Sequence, residues 1–352
     1  MNINFEIIPL SRSLIMASKS EIDIVLAVTR SHIADYKLQS STQYYGGWQN
    51  DFYINNKTEW LPSKLNDLED FLIQSDVGVE TANDLKEKFS SIVNKAKQYI
   101  HDGDIFQVVL SRKFAFETSG DNLTLYKTLR KLNPSPYMYH LKQDSKTIIG
   151  ASPEMLVRIT DDKVETFPIA GTRKITDNEE KNKALSDELI HDEKELAEHT
   201  MLVDLGRNDI GRVCKYGTVH PESLMQIKRF SHVQHIVSHV VGNLDSKNDM
   251  FDAFQAVFPA GTVSGAPKVR AMQIIDELEA EERGPYAGAV GYFSYNGCCD
   301  FAIAIRSIFI ENNKGFVQSG AGIVSDSIAE NEFKETEHKA GAMLQALKEA
   351  SD

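Results

Sequence analysis

The sequence predicts an α+β fold in which strands and helices alternate along one continuous body. Strand-like and helix-like patterns intermix from about residue 81 to the end, and no repeat, low-complexity tract or Pro/Ser-rich linker separates them. Hydrophobic residues make up 41% of the chain and charged residues 25%, the balance of a folded globular protein. The pair Asn296-Gly297 between two strand-like runs predicts a hairpin with a type I′ turn. The 352 residues exceed the roughly 250–300 at which a single core stops growing, which allows one large domain or two closely joined units.

The N-terminal segment, residues 1–80, carries weaker signals than the rest of the chain. Residues 22–28 and 43–53 are strand-like, and residues 61–73 have the pattern of a short helix. We expect this segment to supply packing and no chemistry. Residues 81–352 form the body in which a functional site is expected.

Within this body, a helix is predicted from a capping-box-like motif at Thr81 to Asp102-Gly103, because its apolar residues recur every three or four positions. Residues 105–116 follow as a strand with Phe106 and Val108 on one face and Gln107 on the other. Further helices are predicted at residues 122–132, 180–202, 250–257, 267–282 and 328–350. Further strands are predicted at residues 137–141, 147–151, 164–167, 231–242, 286–295, 298–310 and 316–318.

Charge and cysteine content exclude several classes of protein. The net charge of −13 disfavours broad binding to nucleic acid or to anionic membranes, which both attract basic surfaces. Three cysteines, Cys214, Cys298 and Cys299, form neither a disulfide framework nor a zinc-ligand spacing. No apolar run approaches the roughly 20 residues of a membrane span, and no apolar signal segment opens the chain. We therefore expect a cytoplasmic protein. Motifs of serine hydrolases, P-loop enzymes and dinucleotide-binding folds are missing from the sequence.

Two predicted helices each carry an E-x-x-E motif, Glu195 with Glu198 and Glu332 with Glu335. Side chains three positions apart share one helix face, so each helix can direct two carboxylates at one point. Such oxygens suit Mg²⁺, which takes one or two carboxylates and completes its shell with water and substrate oxygens. A lone E-x-x-E is more often a solvated helix face. A magnesium site is the functional alternative.

Three small-residue segments can bring the main chain close to a ligand. Residues 258–268 contain Gly, Thr and Ser before Pro267, which suits the first position of a helix, and exposed N–H groups at a helix start attract anions. Residues 168–172 and 320–322 follow predicted strands, where glycine permits close approach. An ordinary capped loop or turn explains each segment equally well when it is taken alone.

A buried arginine and a histidine-bearing strand complete the candidates. Arg306 ends the apolar run of residues 301–306 and needs an anionic partner, either a structural carboxylate or a substrate carboxylate. His235 and His239 share one face of the strand at residues 231–242, and His232 lies near its start. Half-buried histidines are more often structural, and they are also candidates for acid–base chemistry near neutral pH.

Taken together, these segments resemble the chorismate-utilising enzymes over about residues 82–350. The motifs that carry the resemblance are GDIFQVVLSR at 103–112, GASPE at 150–154, PIAGTR at 168–173, AEHTMLVDLGRND at 197–209, SHVQHIVS at 231–238, FPAGTVSGAPK at 258–268, YAGAVGYF at 286–293 and QSGAGIV at 318–324. The resemblance implies layered antiparallel β-sheets with helices packed outside and an active site in the central cleft. It also implies that residues 81–352 are a chorismate-binding catalytic domain.

The same resemblance implies roles for individual residues. Glu198 and Glu335 are expected to hold Mg²⁺, with Glu195 and Glu332 nearby. Glu154 is expected to act as an acid on the departing C4 hydroxyl, and His235 to assist the loss of pyruvate. Gln107 and Thr262 complete the expected catalytic set. Residues expected to bind the carboxylates and ring of chorismate are Gly171, Thr172, Tyr286, Arg306, Gly320, Ala321, Gly322 and Lys339.

Two positions discriminate among members of the family. Similar enzymes that add water to chorismate carry a lysine base where Gln107 stands, and an amide cannot deprotonate water, which favours ammonia as the nucleophile. Many aminodeoxychorismate synthases have a nucleophilic lysine at the position of Ala170. The resemblance therefore implies formation of anthranilate and pyruvate from chorismate and ammonia, the first committed step of tryptophan biosynthesis. Component I of aminodeoxychorismate synthase and a catalytically silent chorismate-binding subunit are the alternatives.

Partners and regulation follow from the same comparison. The sequence has no glutaminase nucleophile motif, so ammonia is expected from glutamine through a separate amidotransferase subunit. Pro136, Tyr137 and Met138 resemble part of a tryptophan feedback site. The N-terminal segment is short relative to the family and lacks the Leu-Leu-Glu-Ser motif of that site, which weakens the expectation of feedback control.

Overall fold

The computed structural model describes residues 24–28, 79–229 and 233–350. The helices are α1 (Val79–His101), α2 (Asn122–Leu132), α3 (Glu179–Leu189), α4 (Glu193–Gly211), α5 (Met250–Val257), α6 (Gly261–Ser264), α7 (Lys268–Leu278) and α8 (Ala329–Glu349). The strands are β1 (Ile24–Val28), β2 (Gln107–Glu117), β3 (Tyr137–Gln143), β4 (Lys146–Ser152), β5 (Met155–Thr160), β6 (Lys163–Thr166), β7 (Ile169–Lys174), β8 (His220–Arg229), β9 (Val233–Asn243), β10 (Gly265–Ala266), β11 (Ala289–Phe293), β12 (Cys299–Ile303), β13 (Ser307–Glu311) and β14 (Lys314–Ile323).

The strands form two antiparallel sheets. The first sheet has the order β1-β11-β12-β5-β6-β9-β7, and β8 also pairs with β9. The second has the order β10-β2-β14-β13-β4-β3. Its longest ladder joins β2 and β14 in ten residue pairs from Glu117↔Lys314 to Val108↔Ile323. Short crossings between the sheets follow β4, at Pro153-Glu154, and β12, at residues 304–306, and the chain also crosses on either side of β10.

Apolar side chains bind the layers together. One core cluster joins strands of the first sheet to α4 and α5, and it reaches Phe309 and Phe316 of the second sheet. Two further clusters pack α1 and α7, and α2 and α8, against the second sheet. The fully buried Phe254 and Phe301 rings lie 4.7 Å apart by their centroids. Truncating such a buried phenylalanine costs about 3–5 kcal/mol of stability, so this layer is a strong determinant of the fold.

The prediction of layered antiparallel sheets with helices outside is confirmed, and several element bounds are correct. Helices α2 and α5 have the predicted ends, because Asp121 and Asp249 cap their first turns. Strand β1 lies within the predicted strand 22–28 and pairs with β11. The predicted strand 43–53 and helix 61–73 lie outside the described residues.

Other expectations about elements are wrong. The predicted helix 180–202 is two helices, because Asp192 caps a new helix by accepting hydrogen bonds from the main-chain N–H groups of Lys194 and Glu195. The predicted strand 298–310 is two strands in different sheets. Residues 320–322 lie inside β14 rather than after it.

Finer details also differ from the sequence prediction. Phe106 precedes β2 and is 70% exposed, whereas Val108 is fully buried. Pro267 caps α7 instead of occupying its first turn. The hairpin at Asn296-Gly297 is present, but only Gly297 has a positive φ (87°), and a type I′ turn requires positive φ at both positions. In the described part of the chain, no helix is long and apolar enough to cross a bilayer.

Candidate active site

Arg306 and Glu154 lie on two of the connections that cross between the sheets. Arg306 lies between β12 and β13 with a left-handed φ of 51°, so the prediction that it lies within a strand is wrong. Its guanidinium donates from Nη1 to the main-chain oxygen of Lys339 at 3.1 Å. Within the described chain no carboxylate lies at ion-pair distance from it, and burial lowers its pKa while Tyr286 and Glu335 oppose that shift. A buried guanidinium in this state favours a ligand carboxylate.

Glu154 is a carboxyl group whose pKa lies near neutral pH. Burial raises its pKa to about 7, while Thr262 and Lys339 act in the opposite direction. The Thr262 hydroxyl is buried and forms no hydrogen bond of ordinary geometry within the described chain, although it lies near enough to favour the charged form of Glu154. Thr262 is placed here because β10 pairs with β2 directly after α6. A carboxyl with this pKa can donate a proton at physiological pH.

Glu198 faces the cleft from α4 and is held by Gln107. The Gln107 amide donates from Nε2 to Glu198 Oε1 at 3.1 Å, and Gln107 itself is 3% exposed. Burial raises the pKa of Glu198, and repulsion from Glu195 and Glu335 adds to the rise, while Gln107 and Lys339 lower it. Glu198 is therefore a half-buried carboxylate whose charged form a nearby cation would stabilise.

The α8 side of the cleft carries the second acidic pair together with a lysine. Lys339 Nζ lies 2.6 Å from Glu335 Oε1 and donates to the main-chain oxygen of Gly320 at 2.9 Å. Glu332 is 9% exposed, and burial raises its pKa, with repulsion from Glu335 contributing. The two helices thus bring Glu198 and Glu335 close enough to repel each other across the cleft.

These carboxylates fit a magnesium site of the kind that leaves room for substrate. Among the residues that the structure describes, no three His, Cys, Asp or Glu side chains are grouped closely enough to enclose a metal ion on their own. Glu195 is engaged by Arg173 at 3.0 Å. Glu198 and Glu335 are the two carboxylates that would hold Mg²⁺, which commonly takes one or two carboxylates from a protein.

His235 projects from β9 beside a bulge in β7. Its Nδ1 lies 2.9 Å from the main-chain oxygen of Gly171 and 3.1 Å from Thr172 Oγ1. Burial lowers its pKa; Arg306 adds to the fall, and the Gly171 oxygen and Glu195 oppose it. A neutral imidazole whose Nδ1–H donates to a carbonyl presents Nε2 as an acceptor.

Two glycines of β14 leave space that neighbouring side chains use. A Cβ on Gly322 would lie 2.6 Å from Gln107 Nε2, so the amide of Gln107 occupies the notch that this glycine leaves. A Cβ on Gly320 would lie 3.0 Å from the hydroxyl oxygen of Tyr286, which is buried and whose pKa burial raises to about 12. Ala321 between them is fully buried and faces away from the cleft into the α1–α7 core.

Some residues singled out by sequence lie in other surroundings. The Tyr137 hydroxyl donates to Asp300 Oδ1 at 2.8 Å and so links β3 of the second sheet to β12 of the first, while Met138 packs in the α2–α8 core and Pro136 is exposed. His232 lies outside the described residues. A surface concavity at the β5–β6 hairpin, lined by residues that include Arg158 and Lys163, contains none of the predicted site residues.

Sequence reasoning missed two residues that hold the site in place. Arg173 contacts three carboxylates near the α3–α4 junction. Lys268 Nζ forms a buried ion pair with Asp209 at 2.7 Å and donates to the main-chain oxygen of Val257, which ties α4 to the segment that carries Thr262. In the sequence, only the presence of a basic residue in segments 168–173 and 258–268 pointed to these contacts, because the acidic partners lie in other segments.

Residues 39–345 match the model of the chorismate binding enzyme family, and the chain belongs to that family. The chain is 57% identical over 272 residues to anthranilate synthase component 1 of Acetivibrio thermocellus, an alignment covering 77% of this chain and 55% of that protein. It is 56% identical over 271 residues to anthranilate synthase component 1 of Aquifex aeolicus, with the same two shares. The chain spans about half the length of the curated relatives it matches.

Solved structures show the same fold. The crystal structure of anthranilate synthase component I from Streptococcus pneumoniae superposes with a TM-score of 0.69 at 49% identity, covering 73% of this chain and 57% of that chain. The menaquinone-specific isochorismate synthase of Escherichia coli superposes with a TM-score of 0.66 at 26% identity, covering 75% of this chain and 61% of that chain.

Proposed function

We propose that the protein is the chorismate-using component of an anthranilate synthase, converting chorismate and ammonia to anthranilate and pyruvate, the first committed step of tryptophan biosynthesis. Its relatives at 57% and 56% identity are named anthranilate synthase component 1. Because this chain spans 55% of those proteins, the residues of the cleft have to support the proposal.

Gln107 is the observation that carries the choice of nucleophile. Its side chain is buried in the cleft and its amide nitrogen donates to Glu198, so the group at this position is neutral and cannot take a proton from water. Ala170 offers no nucleophile of its own. A site with no lysine base at position 107 and no lysine nucleophile at position 170 suits ammonia, which needs no deprotonation to attack C2 of chorismate.

Charged groups of the cleft can hold the substrate and donate the proton that addition of ammonia to chorismate requires. Arg306, without a carboxylate partner in the described chain, is suited to hold a substrate carboxylate. Glu154, with a pKa of about 7, can give its proton to the C4 oxygen as that oxygen leaves. Lys339 reaches the same region through its contacts with Gly320 and Glu335.

The second step is loss of pyruvate, which restores an aromatic ring. His235 is suited to accept the proton that leaves C2, because its Nδ1–H is directed at the Gly171 oxygen and its other nitrogen then carries the lone pair. Burial lowers its pKa, which keeps the ring neutral and able to accept a proton at physiological pH.

Glu198 and Glu335 would hold Mg²⁺, with Glu195 and Glu332 beside them. The ion would neutralise substrate carboxylate charge and polarise the departing oxygen. Glu198 in particular is half-buried with a pKa raised by burial, so a cation next to it would favour its charged form.

Ammonia is proposed to come from glutamine through a separate amidotransferase subunit, as the designation component 1 of the relatives suggests. All three cysteines are free thiols, a state that a reducing compartment such as the cytoplasm favours. We further propose that Pro136, Tyr137 and Met138 form part of a tryptophan-binding site.

The proposal is tested by incubating the full chain with chorismate, Mg²⁺ and ammonium, with no second subunit. We expect anthranilate fluorescence and pyruvate release. Formation of 4-amino-4-deoxychorismate would instead support an aminodeoxychorismate synthase component. Tight binding of chorismate with no product would support a catalytically silent binding subunit. Glutamine in place of ammonium should give no product until an amidotransferase is added.

A further inference from the structure

Arg173 in β7 is surrounded by three carboxylates, one for each nitrogen of its guanidinium. Nε contacts Glu188 Oε1, Nη2 contacts Asp192 Oδ2 and Nη1 contacts Glu195 Oε1, each at 3.0 Å. Nη1 also donates to the main-chain oxygen of Thr172 at 3.1 Å. Because the guanidinium is a rigid planar fork, four contacts of this kind fix both its position and its orientation. The Arg173 side chain is 19% exposed, so solvent screens these contacts only in part.

The three carboxylates belong to the junction of two helices. Glu188 lies in the last turn of α3, Asp192 is the N-cap of α4, and Glu195 lies in the first turn of α4. Asp192 also accepts hydrogen bonds from the N–H groups of Lys194 and Glu195. Arg173 therefore binds strand β7 to both helices at the point where α4 begins.

The same junction forms the wall of the β7 bulge. The pairing of β7 with β9 shifts register between Ala170 and Thr172, and Gly171 adopts a φ of 66°. A Cβ at Gly171 would lie 2.8 Å from Leu189 Cδ1 and 3.0 Å from Glu195 Oε2. Glu195, one of the three carboxylates that Arg173 contacts, is thus one of the two side chains that lie next to the bulge at Gly171.

The bulge in turn determines which nitrogen of His235 carries the proton. The Gly171 oxygen can only accept, so its 2.9 Å contact with His235 Nδ1 requires a proton on Nδ1. In the neutral ring the lone pair then resides on Nε2. If the Gly171 oxygen moved away, Nδ1 would lose the acceptor that selects this tautomer, and the Thr172 hydroxyl could serve either tautomer.

We propose that Arg173 is a positioning residue that holds the β7 bulge, and through the Gly171 oxygen keeps His235 in its Nδ1–H tautomer. The effect on catalysis rests on the proposed function of His235. The effect on the tautomer does not, so the two can fail separately.

The test uses the full chain labelled with ¹⁵N-histidine, with the His235 signals assigned by their loss in His235→Gln. At a pH where the ring is neutral, we expect the Nδ1–H tautomer in the wild type and a mixture in Arg173→Met. With chorismate, kcat of Arg173→Met should fall about 10- to 100-fold, as expected for a misplaced reacting group, while KM changes by less than about threefold. Arg229→Met is the matched control, because it removes an exposed ion pair with Glu179 on α3 and leaves β7 untouched.

A milder pair of variants covers the case in which Arg173→Met does not fold. Glu188→Gln removes the most exposed of the three carboxylates, and Arg173→Lys keeps the charge but loses the fork. Both variants should lower the fraction of the Nδ1–H tautomer, and Arg173→Lys should lower it more than Glu188→Gln. An Nε2–H tautomer in the wild type, or an unchanged tautomer in folded Arg173→Met or in both milder variants, would overturn the proposal. Absence of turnover in the wild type would refute the proposed function. The role of Arg173 would then be decided by the tautomer measurement alone.

Discussion

His235 and His239 stand on the same face of β9, four residues apart, and their surroundings differ in kind. Both nitrogens of His239 face carboxylates, Glu165 Oε1 at 2.9 Å and Glu222 Oε2 at 2.9 Å, and its ring stacks on Phe167 with centroids 4.1 Å apart. His235 instead directs Nδ1 at a main-chain carbonyl. A histidine engaged by carboxylates at both nitrogens is a structural link, whereas one oriented by a carbonyl retains a lone pair for chemistry.

The comparison extends to the two glutamates of α4. Glu195 is paired with Arg173 and supports the β7 bulge, whereas Glu198 is half-buried, accepts an amide hydrogen bond from Gln107 and is repelled by two carboxylates. In each case a pair that looks equivalent in sequence divides into one residue held by charged side chains and one residue of the proposed reaction site.

The largest expected effect separates the two histidines. His235→Gln should lower kcat for anthranilate formation by about 10²- to 10⁴-fold, the range for loss of a general acid or base, whereas His239→Gln should stay within about threefold of the wild type. Steady-state kinetics with chorismate, Mg²⁺ and ammonium measures both. Equal losses in the two variants would contradict the distinction drawn between them.

The next effect separates the two glutamates. Glu198→Gln should raise the Mg²⁺ concentration for half-maximal activity by more than about 100-fold, and Glu195→Gln by about 10-fold, since supporting residues of metal sites typically affect affinity less than ligands. Titration of activity with Mg²⁺ measures both shifts. A larger effect at Glu195 than at Glu198 would show that Glu195, and not Glu198, is the metal ligand.

A pH profile examines Glu154, the acid that would act before His235. Its pKa lies near 7 because of burial, and only its protonated form can donate, so kcat/KM should fall as pH rises through about 7. Glu154→Gln should have low activity and no such alkaline limb. Glu222→Gln, which removes a carboxylate beside His239, serves as the control and should keep the limb. An alkaline limb that persists in Glu154→Gln would place the titrating group elsewhere.

The smallest effect is on stability. His239→Gln should reduce the free energy of unfolding by about 1.5 kcal/mol, the scale of a hydrogen bond to a charged group, because Glu165 and Glu222 lose a shared partner. His235→Gln should change it less. Urea denaturation of both variants gives the difference, and a greater loss at His235 would reverse the structural and functional assignments.

Local signals in the sequence were enough for elements whose ends are set by their own residues. Helices α2 and α5 have the ends that the sequence predicts, and in the structure a capping aspartate precedes each one. Asp192 caps α4 in the same way, so the break between α3 and α4 also has a local signal in the sequence. Both sheets have the layered antiparallel arrangement that the motif resemblance implied.

Features that depend on contacts between distant segments could not be predicted from the local sequence. Nothing near Arg306 indicates its left-handed φ, since the crossing between two sheets places it there. The strand pattern placed His235 and His239 on one face correctly, but their different partners come from β6, β7 and β8. The role of Arg173 likewise depends on how α3 and α4 meet β7.

The central claim is that Nε2 of His235 takes a proton in the loss of pyruvate, after the amine has been added. The most direct measurement follows chorismate consumed and pyruvate released by His235→Gln beside the wild type, with Mg²⁺ and ammonium present. The wild type should release pyruvate in equal amount to the chorismate consumed. The variant should consume chorismate with little pyruvate, as an aminated intermediate accumulates. Release of pyruvate by His235→Gln at the wild-type rate would contradict the account.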